Sequence, residues 1–247
     1  MLNIEIAAEK LFSFMGLPIT NGLLTSWIVV ILLVVASYIL SRNIRKVPKM
    51  FQNIVESGVE ELVGMMQGVL HSRKKAEKFF PLIATIFTFV LISNWLGIFP
   101  GVGSVGFNEV SEGVTKFVPL TRSAAADLNF TLAIALISVV MVNIYAIREL
   151  GAKIHFGKFF NFKGPIEFFV GILEILGEFA KVISFSFRLF GNVFAGEVLL
   201  IIMGALALFL APIPFLMLEI FVGFIQALVF SMLTLVFLSI AVEHEAH

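Results

Sequence analysis

No cysteine occurs anywhere in the 247 residues, so the chain can build neither a disulfide framework nor a thiolate metal site. Charge is almost as scarce. Only 14% of positions are Asp, Glu, Lys or Arg, against about 25% in a soluble domain, while 59% are hydrophobic. That balance excludes a soluble globular fold and points to an integral membrane protein. The formal net charge is zero, which argues against nucleic acid or another polyanion as partner. The sequence lacks a G-x-x-x-x-G-K-[ST] run, and with it a nucleotide site of that kind. It also lacks a basic leader followed by a small-residue cleavage site. Met1 to Leu17 carries Glu5, Glu9 and Lys10 and does not read as a signal peptide. His71, His155, His244 and His247 fall in loops or in the tail, where they read as solvated rather than as metal ligands, and no cofactor is expected.

What is present is apolar length. A span of about 20 apolar residues crosses a bilayer. The sequence predicts an all-α integral membrane protein of about five crossing helices, the last two long, strongly tilted and paired as a hairpin, plus one interfacial amphipathic helix. An N-terminal segment (1–22) precedes span one (23–41), the interfacial helix (51–72) and span two (79–99). A loop (100–126) leads to span three (127–148), a long tilted helix (165–210) and a final helix (214–242), all in one membrane domain. In 51–72, Gln52, Glu56, Glu60 and Glu61 alternate with Val, Leu and Met at helical spacing, the pattern of a helix lying on the membrane surface.

Basic residues set the orientation. Arg42, Arg45, Lys46, Lys49, Arg73, Lys74, Lys75 and Lys78 share one side with Arg148, Lys153, Lys158 and Lys163. The other side receives only Lys10, Lys116 and Arg122. The N-terminus is therefore expected outside and the C-terminus in the cytoplasm. No internal repeat is visible. The fourth apolar stretch is unusually long: Pro165 suits a first helical turn and no proline follows until Pro212. As one helix it measures roughly 69 Å, so it must slant steeply in a hydrocarbon core of about 30 Å, or break at a glycine; the slanted form is the expectation.

Within that stretch stands Arg188, a cation in an apolar run. A fixed charge at membrane depth costs from a few to more than ten kcal/mol, and a guanidinium has no neutral form to escape into. Such a residue acts as a fixed field, which suggests a partner carboxylate that comes and goes. On a helical wheel Glu167, Glu174, Glu178, Lys181 and Asn192 fall within about 20° to 80° of Arg188, with Ser184 on its other side. Gly191 and Ala195 border it and let another surface approach. Glu197 lies on the opposite face and cannot be its static partner. On the last helix Glu219 and Gln226 are seven apart and share a face. Counting from the Pro212 to Pro214 break puts Gln226 level with Glu197, and Glu219 nearer the outer mouth. The three could line a hydrated proton path or merely join helices by hydrogen bonds. Glu174, Glu178 and Lys181 could form a cytoplasmic half-channel or face water, and Lys181 and Glu178 stand at pairing distance. Asp127 with Asn129 reads as a helix N-cap.

The run Ser184-Phe185-Ser186-Phe187-Arg188-Leu189-Phe190-Gly191-Asn192-Val193-Phe194-Ala195-Gly196-Glu197 resembles the signature of subunit a of F-type ATP synthases. Ser93-Asn94-Trp95-Leu96-Gly97-Ile98-Phe99-Pro100, Asp127-Leu128-Asn129-Phe130-Thr131-Leu132-Ala133 and Gln226-Ala227-Leu228-Val229-Phe230 resemble further motifs of that family, and the likeness covers nearly the whole chain. Two positions depart from it: Glu219 stands where some members have histidine, and Ala124-Ala125-Ala126 where a proline is usual. The resemblance implies a non-catalytic, proton-translocating stator with two offset half-channels. Arg188 would be its essential arginine, Glu197, Glu219 and Gln226 channel positions, and Asn192 and Ser184 polar neighbours. It implies a ring of c subunits and peripheral-stalk b subunits as partners, in a bacterial plasma (inner) membrane, with no nucleotide on this chain. The alternative is a secondary transporter or ion channel that uses Arg188 as a binding or selectivity site.

Overall fold

The computed structural model describes residues 9–14, 16–99, 105–111, 114–159, 164–206 and 212–243. In chain order, strands β1 (Lys10–Phe14) and β2 (Leu17–Thr20) lead into helix α1 (Asn21–Arg42), followed by α2 (Met50–Leu70) and α3 (Arg73–Ile98). Strands β3 (Gly106–Ser111) and β4 (Val114–Pro119) and a single 3-10 turn (Ala124–Ala126) precede α4 (Leu128–Leu150) and the short α5 (Ala152–Phe159). The long helices α6 (Pro165–Leu206) and α7 (Pro212–Glu243) complete the chain. Among the described residues five helices, α1, α3, α4, α6 and α7, are long and apolar enough to cross a membrane. The protein is an all-α, multi-pass integral membrane protein, as its composition predicts.

Local chemistry sets where the helices begin and end. Thr20 Oγ1 accepts from Leu23 N at 3.3 Å and starts α1 two residues ahead of the apolar run. Ser72 does the same for α3 through Lys75 N, so the helix begins at Arg73 and carries its charged first turns ahead of the apolar span expected from residue 79. Asp127 caps α4 by accepting from Asn129 N at 2.9 Å, the N-cap its sequence predicts. His71 ends α2 in the left-handed region (φ 50°), and Gly151 (φ 89°) turns the chain from α4 into α5. Pro212 and Pro214 occupy the first turn of α7, where no N–H is needed, so the helix starts two residues earlier than expected. Helix α6 is continuous through its 42 residues; 207–210 lie outside the described residues.

Two antiparallel hairpins and α5 are additions to the expected outline. β1 pairs with β2 from Lys10↔Thr20 to Phe14↔Leu17, with Gly16 at φ 83° in the turn, and β3 pairs with β4 from Gly106↔Pro119 to Ser111↔Val114. Short segments of alternating side chains form ladders without any long apolar run to signal them. The hairpins mark one end of the bundle, the hairpin end. Arg42, Arg73, Lys78 and Arg148 mark the other, the basic end, where Arg73 holds Glu60 at 2.6 Å and Lys78 pairs with Glu149.

Packing is strongest where α3 meets α7 and α4 meets α6. Toward the basic end Leu62, Val63, Met66 and Leu70 of α2 pack with Phe79, Ile83, Val142, Leu235 and Leu238. The amphipathic α2 therefore buries its apolar stripe against protein over its second half and exposes Met50, Phe51 and Ile54 in its first. Deeper in, Val90, Ala125, Ala126, Ala135, Phe185, Leu189, Val193, Ala227 and Phe230 form a second core beneath the middle of α6. Small residues set the closest approaches: a side chain on Gly97 would collide with Ser123, and one on Gly196 with Glu219.

Candidate functional site

The signature run on α6 divides by helical period. Phe185, Ser186, Leu189 and Val193 turn inward: the Phe185 ring lies 4.8 Å from Phe230, and Ser186 Oγ is 3.1 Å from Thr131 Oγ1 on α4. Ser184, Phe187, Arg188, Gly191, Asn192 and Ala195 turn outward and are exposed. Arg188 donates one bond, to Ser184 Oγ at 3.3 Å, and no carboxylate pairs with it among the described residues. A side chain at Gly191 would meet nothing within 4 Å. The cation thus projects from an apolar outer wall (Phe179, Ile183 and Phe187 are each more than half exposed) beside a strip of small residues.

Near the hairpin end lie two carboxylates, Glu197 on the face of α6 opposite Arg188 and Glu219 of α7 against Gly196. Arg122 Nε donates to both oxygens of Glu197, at 3.0 and 3.1 Å, and its guanidinium lies 5.9 Å over the Phe194 ring. Arg122 is itself held by its N–H to Thr25 Oγ1 of α1 at 3.3 Å. Glu219 is 8% exposed, and its carboxylate fills the space in front of Gly196, the residue before Glu197. The levels differ from the sequence expectation, which set Gln226 level with Glu197. The count from the prolines misjudged the register, because the bare backbone of Gly196 admits the Glu219 side chain and brings that carboxylate level with the residue before Glu197. Gln226, seven residues further along α7, is half-buried and makes no hydrogen bond among the described residues.

The motif around Asn94 explains how α7 is held in register. Asn94 Nδ2 donates to the Gly223 carbonyl at 3.0 Å, and Trp95 Nε1 donates to the Ile220 carbonyl at 3.0 Å. Gly223 lets Asn94 pack directly against the α7 backbone. Two side-chain donors thus fix the α7 backbone on α3 beside Glu219.

A third polar group lies toward the basic end of α6. Glu178 receives Lys181 Nζ at 2.6 Å on one oxygen and Asn143 Nδ2 of α4 at 3.3 Å on the other. The Lys181 ammonium also lies 4.9 Å over the Phe237 ring of α7. Both side chains are about four-fifths or three-quarters buried, so they line the interface of α4, α6 and α7 rather than open water. His155 corrects the sequence reading. It is 1% exposed, not solvated, because α5 folds back on α4 and α6 and brings Nε2 to 2.8 Å from Asn143 Oδ1. His71 is exposed as expected; His244 and His247 lie outside the described residues.

The structure therefore separates the predicted site residues into three groups. Arg188 with Ser184 and Asn192 faces outward, Glu197 and Glu219 lie near the hairpin end, and Glu178 with Lys181 lies toward the basic end, one turn past the half-buried Glu174. Arg122, Asn143 and His155 were not singled out from sequence as site residues. Arg122 carried one signal, as a lone cation just ahead of the buried Ala124-Ala125-Ala126 turn. No group of metal-binding side chains occurs among the described residues.

The family described as ATP synthase A chain matches residues 23–239. ATP synthase subunit a of Campylobacter concisus is 35% identical over 224 residues, covering 88% of this chain and 89% of that protein. The subunit a of Geotalea daltonii is 34% identical over 227 residues (90% and 87%), and that of Moorella thermoacetica 29% over 235 residues (95% and 96%). All three side-chain groups described above fall inside the matched stretch.

Proposed function

Starting from a chain that belongs to the ATP synthase A chain family, and so to the membrane sector of that complex, we propose that it is the proton-conducting stator against which a ring of c subunits turns. The observation that carries this reading is Arg188, an exposed guanidinium on an apolar helix face whose only bond among the described residues is to a hydroxyl. In hydrocarbon that state is too costly to persist alone, so the face needs an acidic partner. The adjoining Gly191 and Ala195 leave room for one. A transporter with an internal site would turn its arginine inward, and α6 turns it outward.

A proton entering from the hairpin end would pass Glu219, Glu197 and Gln226, reach the polar strip at Asn192, and neutralise a carboxylate on the ring. The neutral acid can travel through lipid, where the anion would cost far more. On return, Arg188 favours loss of the proton by stabilising the anion. The released proton leaves by Lys181, Glu178 and Glu174 at the basic end. The fixed charge of Arg188 also breaks any continuous proton wire between the two paths. Each charge falling through 100 mV releases about 2.3 kcal/mol. The chain itself would hold no nucleotide and catalyse no bond change. The basic end would face the cytoplasm of a bacterial inner membrane, with the C-terminus on that side, and peripheral-stalk b subunits would hold the chain against rotation.

The test is Arg188→Ala in the whole ATP synthase, read as ATP-driven proton pumping and ATP synthesis in membrane vesicles. Both are expected to disappear while the complex still assembles. Retention of either at more than a few per cent would overturn the reading.

A further inference from the structure

The proton path above makes no use of His155, a buried imidazole on the short helix that closes the basic end. Its ring lies between α5, α4 and α6, with Phe156 and Phe159 edge-on to it at 5.8 and 5.5 Å. Nε2 stands 2.8 Å from Asn143 Oδ1. Asn143 fixes the direction of that bond. Its Nδ2 sends one hydrogen to the Val139 carbonyl at 2.8 Å and the other toward Glu178 Oε2 at 3.3 Å. Turning the amide over would set its oxygen against a carbonyl and a carboxylate, so Oδ1 must face the ring, and an imidazole nitrogen opposite an amide oxygen must carry hydrogen. The order is then continuous: His155 donates to Asn143, Asn143 donates to Glu178, and the other oxygen of Glu178 accepts from Lys181 at 2.6 Å.

We infer that His155 is a positioning residue for Glu178: its Nε2–H locks the Asn143 amide with the N–H side toward the carboxylate. Without that donor the amide oxygen loses its partner, and the amide is held only by its own N–H bonds, to the Val139 carbonyl at 2.8 Å and to Glu178 at a longer 3.3 Å, so it tilts away from Glu178 more readily. The groups of the relay on the packed elements are Asn143 on α4 and Glu178 and Lys181 on α6, with the Phe237 ring of α7 covering the ammonium and Glu174 one turn before Glu178 on α6. The inference rests on the reading of Glu178 as part of the basic-end proton path.

The experiment uses intact ATP synthase in inverted membrane vesicles, with ATP-driven acidification as readout and membrane content of the chain as the assembly control. His155→Phe fills the ring's volume without a donor, and His155→Gln keeps an N–H donor of similar reach. His155→Phe is expected to slow pumping about three- to tenfold, the scale of one lost hydrogen bond, and His155→Gln to recover most of the rate. In a Glu178→Gln background, His155→Phe should add no further loss. Wild-type pumping by His155→Phe, equal impairment by both variants, or a full additional loss in the Glu178→Gln background would each overturn the positioning role while leaving the proton path standing. Wild-type pumping by Glu178→Gln alone would instead remove the basic-end path, and the inference with it.

Discussion

Placing a single methyl group on Gly196 tests whether the position of Glu219 governs proton entry. A Cβ at Gly196 would fall inside the van der Waals shell of the Glu219 carboxylate. The obstructing atoms are the far end of a flexible side chain, so the helices need not separate; the carboxylate retreats. Ordinary contact requires a separation near 3.5 Å, which drives the oxygens back by about 1.5 Å. Proton transfer requires donor and acceptor within about 2.6–3.2 Å of each other, directly or through one water, so a shift of that size breaks the existing register. Meanwhile alanine favours a helix interior by about 1 kcal/mol over glycine, so α6 itself loses nothing. Gly196→Ala should therefore leave assembly and membrane content normal and cut passive proton flow through the membrane sector by roughly tenfold or more. Gly177→Ala, where a Cβ meets nothing within 4 Å, is the matched control. The assay is proton flow into vesicles stripped of the soluble ATPase, under an imposed potential. Normal flow in Gly196→Ala would show that the seat of Glu219 has no bearing on proton entry; loss of the protein from the membrane would show that the retreat is not available to it.

Further outcomes follow from the other contacts. Arg122→Gln strips Glu197 of its charged partner in a mostly buried setting, and should lower the melting temperature of the detergent-purified complex through a loss of about 1–3 kcal/mol, with Arg122→Lys intermediate. Asn94→Leu removes the bond to Gly223 and leaves that carbonyl reliant on its helix partner; about 1–2 kcal/mol of stability should go, with faster proteolysis of the α3 and α7 region as readout. At the basic end, the bidentate bond and charge of Arg73 hold the Glu60 carboxyl below its ordinary value. Its contribution to stability is therefore present above the unfolded carboxylate value and is lost as pH falls through the lowered folded value. Thermal melts across that acid range should show a small acid-sensitive increment in the native protein, absent from Arg73→Gln.

How much of this was readable in the residues differs from site to site. The outward turn of Arg188, Asn192 and Ser184 follows from a period of 3.6 acting on an apolar helix, because Phe185, Leu189 and Val193 demand burial on the other side. The Asp127 cap and the pairing of Lys181 with Glu178 are local and equally legible. Arg122 and Glu197 lie 75 residues apart, and only the packing of the segment ahead of α4 against α6 joins them. The level of Glu219 depends on how α6 and α7 approach at one glycine, which counting from a turn does not capture. His155 looked solvated because an eight-residue amphipathic helix leaves a weak pattern, and its burial comes from folding back on two longer helices.

The length of α6 has a consequence for the electric field. Forty-two residues make a rod of about 63 Å, which in a hydrocarbon layer of about 30 Å must run obliquely across the membrane. Water following Glu219 inward from one side and Glu178 from the other would then leave only a thin dielectric slab between two conducting wedges, with Arg188 embedded in it. On the proposed two-channel path, the membrane voltage would drop over that slab instead of over the full bilayer, and an unchanged voltage would produce a steeper gradient at a side chain whose charge cannot be switched off.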